Sequence, residues 1–380
     1  MASAISPSRP SDFRWLKTVD EAYTAMLAAI DSARSSIRFE TYIYQASPIG
    51  ELFRDAFVRA CQRGVHVKVL IDALGSLMLS EAFWAPLTQA GAEFRWFNPL
   101  HLNCLGFRNH RKLLACDDRV AFLGGFNIGP EYQGDGVAKG WRDLGLQVPG
   151  TMAKELAASF DVLFGLAHYR HQRFIRLRKS KNRKLSATPD GQLLFSAPGR
   201  GKNYLAAALL GDIRQARHVR IISGYFLPTR PFRRALLRLA RQGGEVQLLL
   251  AGKSDVPLAQ MASHRLYQGF LRAGIAIYEY QPQILHSKLF IFDDIVYAGS
   301  ANLDHRSLTI NYELLARLQD PAVVAEAKDI FQQALAHSRQ IEAKTWRASR
   351  TFWSKLKERW AFFLLSRADP YVTRLQWPSF

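Results

Sequence analysis

Apolar residues in VDEAYTAMLAAIDSA (19–33) return every three or four positions, behind Asp20 and Glu21, and predict a helix with one buried face. SIRFETYIY (36–44) switches to alternation, with Ile37, Phe39, Thr41 and Ile43 on one face and Glu40 and Tyr42 on the other. That is the pattern of a strand. ELFRDAFVRACQRG (51–64) reads as a helix closed by Gly64, and VHVKVLIDALGS (65–76) as a strand running into a loop. A broken helix at 80–92 and a strand at 93–98 follow, and the connection 97–109 delivers the chain to His110.

The same succession then repeats. Residues 53–71 align with 232–250 without a gap, Gly64 falling on Gly243, while 217–226 mirrors the strand at 34–44 and 273–280 mirrors 90–97. An internal repeat of this length predicts duplicated domains. Strands alternating with helices in each copy predict the α/β class, with helices packed on a central sheet. The expected division is an arm at 1–13, a first domain at 14–168, a basic linker at 169–190, a second domain at 191–344 and a tail at 345–380. Such a chain carries both copies of its motif and implies no obligate protein partner.

Each half holds one unusual run. The first places His110 and Lys112 one residue apart, then Asp117, Gly124, Gly125 and Asn127; the second has His286, Lys288, Asp293, Gly299, Ser300 and Asn302. On a strand, His110 and Lys112 share a face, as do His286 and Lys288. Brought together, the two runs surround a small volume with two imidazoles, two ammonium groups and two carboxamides, which suits a phosphodiester. Lys112, Lys288, Asn127 and Asn302 would hold its nonbridging oxygens. One imidazole would attack phosphorus, and the other would protonate the leaving alkoxide and then deprotonate the incoming hydroxyl. This chemistry asks for neither a metal nor another cofactor. An attacking imidazole also needs a carboxylate to fix its tautomer. Asp117 and Asp293 are candidates inside the motifs, with Asp118 and Asp294 beside them; Asp143 and Glu313 are better placed downstream. The expectation is that Asp143 supports His110 and Glu313 supports His286.

These runs, with FETYIYQASPIG (39–50), QRGVHVKVLIDALGS (62–76), WRDLGLQVPG (141–150) and GSANLDHRSLTINYE (299–313), resemble the phospholipase D superfamily. Within it they resemble the bacterial cardiolipin synthases, in the short form lacking N-terminal transmembrane helices. The resemblance spans about residues 14 to 340. It implies two tandem phospholipase D-type α/β/α sandwich domains related by internal duplication, with the active site at their interface. It also implies joining of two phosphatidylglycerol molecules into cardiolipin with release of glycerol. Hydrolysis of lipid, transfer from phosphatidylethanolamine and nuclease activity are alternatives open to the same residues. By resemblance, His110 is the nucleophile, His286 the acid and base, and Asp143 and Glu313 the supporting carboxylates, the motif aspartates being largely structural. Tyr42, Tyr225, Arg306 and Ser307 fall at positions for headgroup contact, and His101 and His305 lie near the motif loops. Gly125 departs from the superfamily's general pattern, in which many members have serine there, although the synthases often have glycine.

Charge narrows the partner. The 380 residues carry a formal net charge of +19, which calls for a polyanion. The reading favours an anionic phospholipid membrane and expects no nucleic acid, because the tail pairs basic residues with an apolar stripe. Trp353, Leu356, Trp360, Phe363 and Leu364 recur there at helical spacing, with Arg350, Lys355, Lys357 and Arg359 around them. That profile belongs to a helix in a membrane interface, although docking on the protein's own core would also use it. The basic run 169–186 reads either as a solvated linker or as a cationic strip for lipid headgroups. Three cysteines show no metal-ligand spacing, the N-terminus has no signal-peptide core, and no run reaches the ~20 apolar residues of a membrane span. The expected location is the cytoplasmic side of a bacterial inner membrane, held peripherally.

Overall fold

The computed structural model describes residues 13–99, 106–167, 185–188, 191–198 and 203–369. The expected arm up to residue 12, His101, and the basic run up to residue 184 lie outside the described residues. The first half folds into β1 (Arg14–Leu16), β2 (Ser36–Thr41), β3 (His66–Asp72), β4 (Glu93–Phe97), β5 (Leu113–Cys116), β6 (Val120–Gly124) and β7 (Gly145–Pro149). They form one sheet in the order β1-β7-β6-β5-β2-β3-β4. The second half supplies β8 (Leu185–Thr188), β9 (Gly191–Ser196), β10 (His218–Ser223), β11 (Glu245–Ala251), β12 (Ala276–Tyr280), β13 (Lys288–Phe292), β14 (Ile295–Gly299), β15 (Glu313–Leu318) and β16 (Ser338–Gln340). Their order is β16-β12-β11-β10-β13-β14-β15-β9-β8. From β9 to β12 this sheet repeats the first strand for strand, including the parallel pairs β2–β3 and β3–β4 against β10–β11 and β11–β12. The repeat read in the sequence is therefore a repeat of topology. β8 pairs antiparallel with β9, so the expected linker ends inside the second sheet.

Local signals set the helices. Thr18 caps Val19–Ser32 by accepting from the Glu21 amide, and Ser47 caps Pro48–Gln62, where Pro48 occupies the first turn. Gly64 and Gly243 follow equivalent helices at φ +84° and +87°, a conformation that other L-residues adopt at a cost. The broken helix is Glu81–Trp84 followed by Ala85–Gln89. β2 stops at Thr41, short of the expected Tyr44, because the Asn127 side chain takes the Ile43 N–H at 3.0 Å.

Ile37 and Phe39 of β2 pack under helices Val19–Ser32 and Pro48–Gln62, and the second half builds the same outer layer on β10. The inner layers differ in what they join. Leu146, Val148 and Phe160 of the first half share one apolar cluster with Leu289, Ala316 and Phe331 of the second. The Trp15 indole crosses this seam to the Val323 carbonyl at 3.1 Å. Two short parallel bridges, Asn109 with Tyr312 and Arg142 with Leu285, stitch the halves at the ends of β5 and β13.

The tail docks and exposes its stripe at the same time. Helix Phe352–Phe363 buries Ala361, and Ala361, Phe362 and Leu365 pack with Leu227 and Ala262. Trp353, Leu356, Trp360, Phe363 and Leu364 remain exposed, Trp353 and Trp360 at 69% and 60%.

Candidate active site

Lys112 and Lys288 stand at the mouths of β5 and β13, where each Nζ donates to the carbonyl of its own motif histidine; the first bond measures 2.8 Å. Both ammonium groups are buried. Burial, with repulsion from Lys288, pushes Lys112 down to about 7, and burial pushes Lys288 down to about 8. His110 is pushed down to about 4, first by burial and then by Lys112 and Lys288, against the pull of Glu313. Burial and Lys288 lower His286 in the same way, against Asp143. Two motifs far apart in sequence thus lie in one electrostatic field.

The carboxylates cross the seam, which corrects the expected pairing. Nδ1 of His110 lies 2.9 Å and 3.1 Å from the two Glu313 oxygens, and Nδ1 of His286 lies 2.6 Å from Asp143. The reason is the pair of parallel bridges. The His286 amide donates to the Arg142 carbonyl at 2.8 Å, and the His110 amide donates to the Tyr312 carbonyl at 3.0 Å. The next residues, Asp143 and Glu313, therefore belong to the opposite half's histidine. Burial raises each carboxylate, but the imidazole and lysine beside it bring both below the usual carboxylate range. With Nδ1 held by a carboxylate, Nε2 of each ring is left for chemistry.

Asp117 and Asp293 do not reach this site. β5 spans four residues and separates Asp117 from Lys112. The Asp117 carboxylate instead accepts the amides of Arg34, Ser35 and Ser36 at 2.7–2.9 Å. Asp293 likewise takes the amides of Arg217 and His218. Both sit at positive φ, +55° and +50°, which aspartate tolerates in turns. They fasten strand ends, as the superfamily resemblance implies. Asn127 is also spent locally: Oδ1 accepts from Ile43 and Thr41, and Nδ2 donates to Tyr132 at 2.7 Å. Asn302 differs, with a buried Oδ1 that has no hydrogen-bond partner among the described residues.

Gly125 and Ser300 are equivalent yet not interchangeable. Ser300 Oγ donates to Glu313 at 2.5 Å. A Cβ at Gly125 would fall 2.2 Å from an Asp143 oxygen, so the shorter carboxylate occupies the space that serine uses in the other half.

Aromatic rings close the site. Tyr42 meets the His110 ring edge-on at 5.3 Å, while Tyr132, Trp141 and Tyr225 surround His286 at 5.7, 5.4 and 6.2 Å. Beside His110 opens a cavity of about 430 Å³. Asn302, Asp304 and Arg306 line its polar side; Phe226, Leu227 and Leu365 line an apolar side. His305, expected near a motif loop, and Ser307, at a position the resemblance marked, line it as well. Asp304 and Asp369, also at this cavity, escaped the sequence reading. Asp304 caps the helix His305–Thr309 through the Ser307 amide, a signal visible in Asp304-x-x-Ser307. Burial pushes Asp304 up to about 6. Asp369 has no such local mark.

A doubled seven-strand topology with a histidine and a lysine from each half at the seam defines the phospholipase D class. A family profile described as "Cardiolipin synthase, PLD-like domain" matches residues 26–135 and 209–335. The chain is 32% identical over 336 residues to cardiolipin synthase 1 of Bacillus cereus, covering 85% of this chain and 66% of that one. It is 30% identical over 359 residues to cardiolipin synthase B of Salmonella typhimurium, covering 92% and 86% respectively. The chain therefore spans slightly less than two thirds of the length of the Bacillus relative. The crystal structure of phosphatidylserine synthase from Haemophilus influenzae shares the fold at a TM-score of 0.75, with 15% identity and 96% of each chain covered. This chain belongs to the cardiolipin synthase family of phospholipase D-like proteins. Among its described residues, no helix is long and apolar enough to cross a membrane.

Proposed function

We propose that this protein transfers a phosphatidyl group between two phosphatidylglycerol molecules, giving cardiolipin and glycerol. The observation carrying this reading is the crossed pair of buried histidine–carboxylate contacts. In the first step, Nε2 of His110 attacks phosphorus, and the bond from phosphorus to the terminal glycerol oxygen breaks. His286 in its imidazolium form gives its proton to that oxygen, and glycerol leaves. In the second step, neutral His286 takes the proton of a hydroxyl on the second phosphatidylglycerol. That oxygen attacks the phosphohistidine, cardiolipin forms and His110 is regenerated. Lys112 and Lys288 offset charge on the nonbridging oxygens, and Asn302 contacts the headgroup.

The assignment of His110 as nucleophile is supported by the cavity opening on its side. A bound diester is anionic, so it raises the depressed lysine and His286 pKa values toward the protonation state that the first step needs. The apolar wall of the cavity suits an acceptor that is lipid rather than water. The exposed tryptophan face of the tail supports peripheral binding to an anionic membrane.

The test is turnover of vesicles of labelled phosphatidylglycerol by the wild type, His110→Ala and His286→Ala. Cardiolipin with equimolar glycerol, lost in both variants, is expected. Phosphatidic acid as the sole product would make the protein a hydrolase. Cleavage of nucleic acid without lipid turnover would overturn the lipid reading.

A further inference from the structure

The proposed reaction brings two anionic diesters to one cavity, and the first meets Lys112 and Lys288. Charge for the second must come from the cavity wall. Of the two arginines lining the described cavity, Arg108 contacts the buried Asp72 at 3.4 Å. Arg306 instead holds a carboxylate that does not belong to either core. Its Nε and Nη2 donate to the two oxygens of Asp369 at 2.7 Å and 2.6 Å, a two-pronged geometry that equally suits a phosphate.

Asp369 arrives from the tail. The exposed Phe352, Trp353, Trp360 and Phe363 lie on the helix Phe352–Phe363, which runs straight into a π-helical turn at Leu364–Ala368 and then Asp369. Leu365 of that turn lines the same cavity as Asp369. One short segment therefore presents an apolar ridge outward and a carboxylate inward. π-turns are uncommon and concentrate at functional places.

Resting on the phosphatidyl-transfer reading, we propose that Arg306 binds the phosphate of the acceptor lipid and that Asp369 is its tethered stand-in, withdrawn when the aromatic ridge seats in a bilayer. The exchange swaps one anion for another on the same guanidinium and leaves the charge balance of the cavity unchanged. It also links membrane contact to acceptor binding through about six residues of chain, Leu364 to Asp369.

The test uses the full-length protein with a phosphatidylglycerol donor and measures two outcomes of the phosphohistidine together. These are cardiolipin formation and exchange with labelled free glycerol, an acceptor without phosphate. Arg306→Gln should raise the KM for phosphatidylglycerol as acceptor and cut the ratio of cardiolipin to exchanged glycerol by roughly tenfold or more. Asp369→Asn should move the other way, lowering that KM about two- to fivefold, the range for a partly exposed ion pair. The gain should be larger on detergent-dispersed substrate than on vesicles. A merely structural ion pair would make both variants fail in the same direction, and that result would overturn the proposal. An equal gain on both substrates would overturn the membrane coupling. Absence of both cardiolipin and glycerol exchange in the wild type would instead sink the transfer reading beneath it.

Discussion

The crossed carboxylates make a prediction that same-half pairing would reverse. Replacing Glu313 by Gln removes the charged partner of His110 at 2.9 Å, and replacing Asp143 by Asn removes that of His286 at 2.6 Å. A hydrogen bond to a charged group contributes about 1.5–3 kcal/mol, which corresponds to roughly 10- to 150-fold in rate. Loss of the correct imidazole tautomer adds to this. The steps affected differ. A phosphatidyl donor with an activated, low-pKa leaving group needs no acid in the first step, so Asp143→Asn should still form the phosphoenzyme. It should then accumulate the intermediate, because His286 is a poorer base toward the incoming hydroxyl. Glu313→Gln should form the intermediate slowly and accumulate none. Rapid quench with detection of acid-labile phosphohistidine reads both outcomes. Accumulation in Glu313→Gln and not in Asp143→Asn would refute the crossed assignment or exchange the roles of the two histidines. Mapping the phosphate to His110 or His286 separates these explanations.

Further outcomes follow from other parts of the structure. Gly125→Ala places a Cβ 2.2 Å from an Asp143 oxygen and should lower turnover at least as much as Asp143→Asn; near-normal turnover would refute the packing argument. Asp117→Asn should lower the melting temperature by a few degrees while leaving kcat unchanged, since its carboxylate holds three backbone amides. Those bonds hold Asp117 down at about 2 against burial, which raises it. A depressed acid adds stability above its unfolded pKa, so this contribution should fade as pH falls from about 4 to 2. Lys112 and Lys288, depressed to about 7 and 8, should lose their protons, and kcat/KM should decline, well below the ordinary lysine range near 10.4. Over the same window the unfolded chain still binds those protons, so stability should rise with pH; a decline tracking unfolding would contradict this origin. Replacing Trp353 and Trp360 together by Ala should weaken binding to anionic vesicles at least tenfold by sedimentation, since burying each ring contributes about 1.5–3 kcal/mol or more; unchanged binding would move membrane contact to another face.

Most of the architecture was legible along the chain because its causes are local. Alternation in 36–41 and helical spacing in 19–32 each report one buried face, and Gly64 and Gly243 mark the same helix end in each half. The doubled His-x-Lys runs marked the candidate site for the same reason, since two residues apart on a strand means one shared face. The tail's stripe was equally plain. Its double use was not, because periodicity says which residues are apolar and not which of them a neighbouring helix covers.

Partnership across the seam needed the folded molecule. Asp143 and Glu313 were recognisable as the supporting carboxylates, yet sequence proximity assigned each to the wrong histidine. Their assignment depends on Arg142 pairing with Leu285 and Tyr312 with Asn109. Those bridges depend on how the inner faces of two sheets close over one apolar cluster. Tail packing likewise brings Asp369 to Arg306. The sequence by itself determined which residues could act and in what elements they lie, because propensity and patterning work over a few residues. Only the tertiary structure decided which residue acts on which, because that depends on packing between segments that no local period connects.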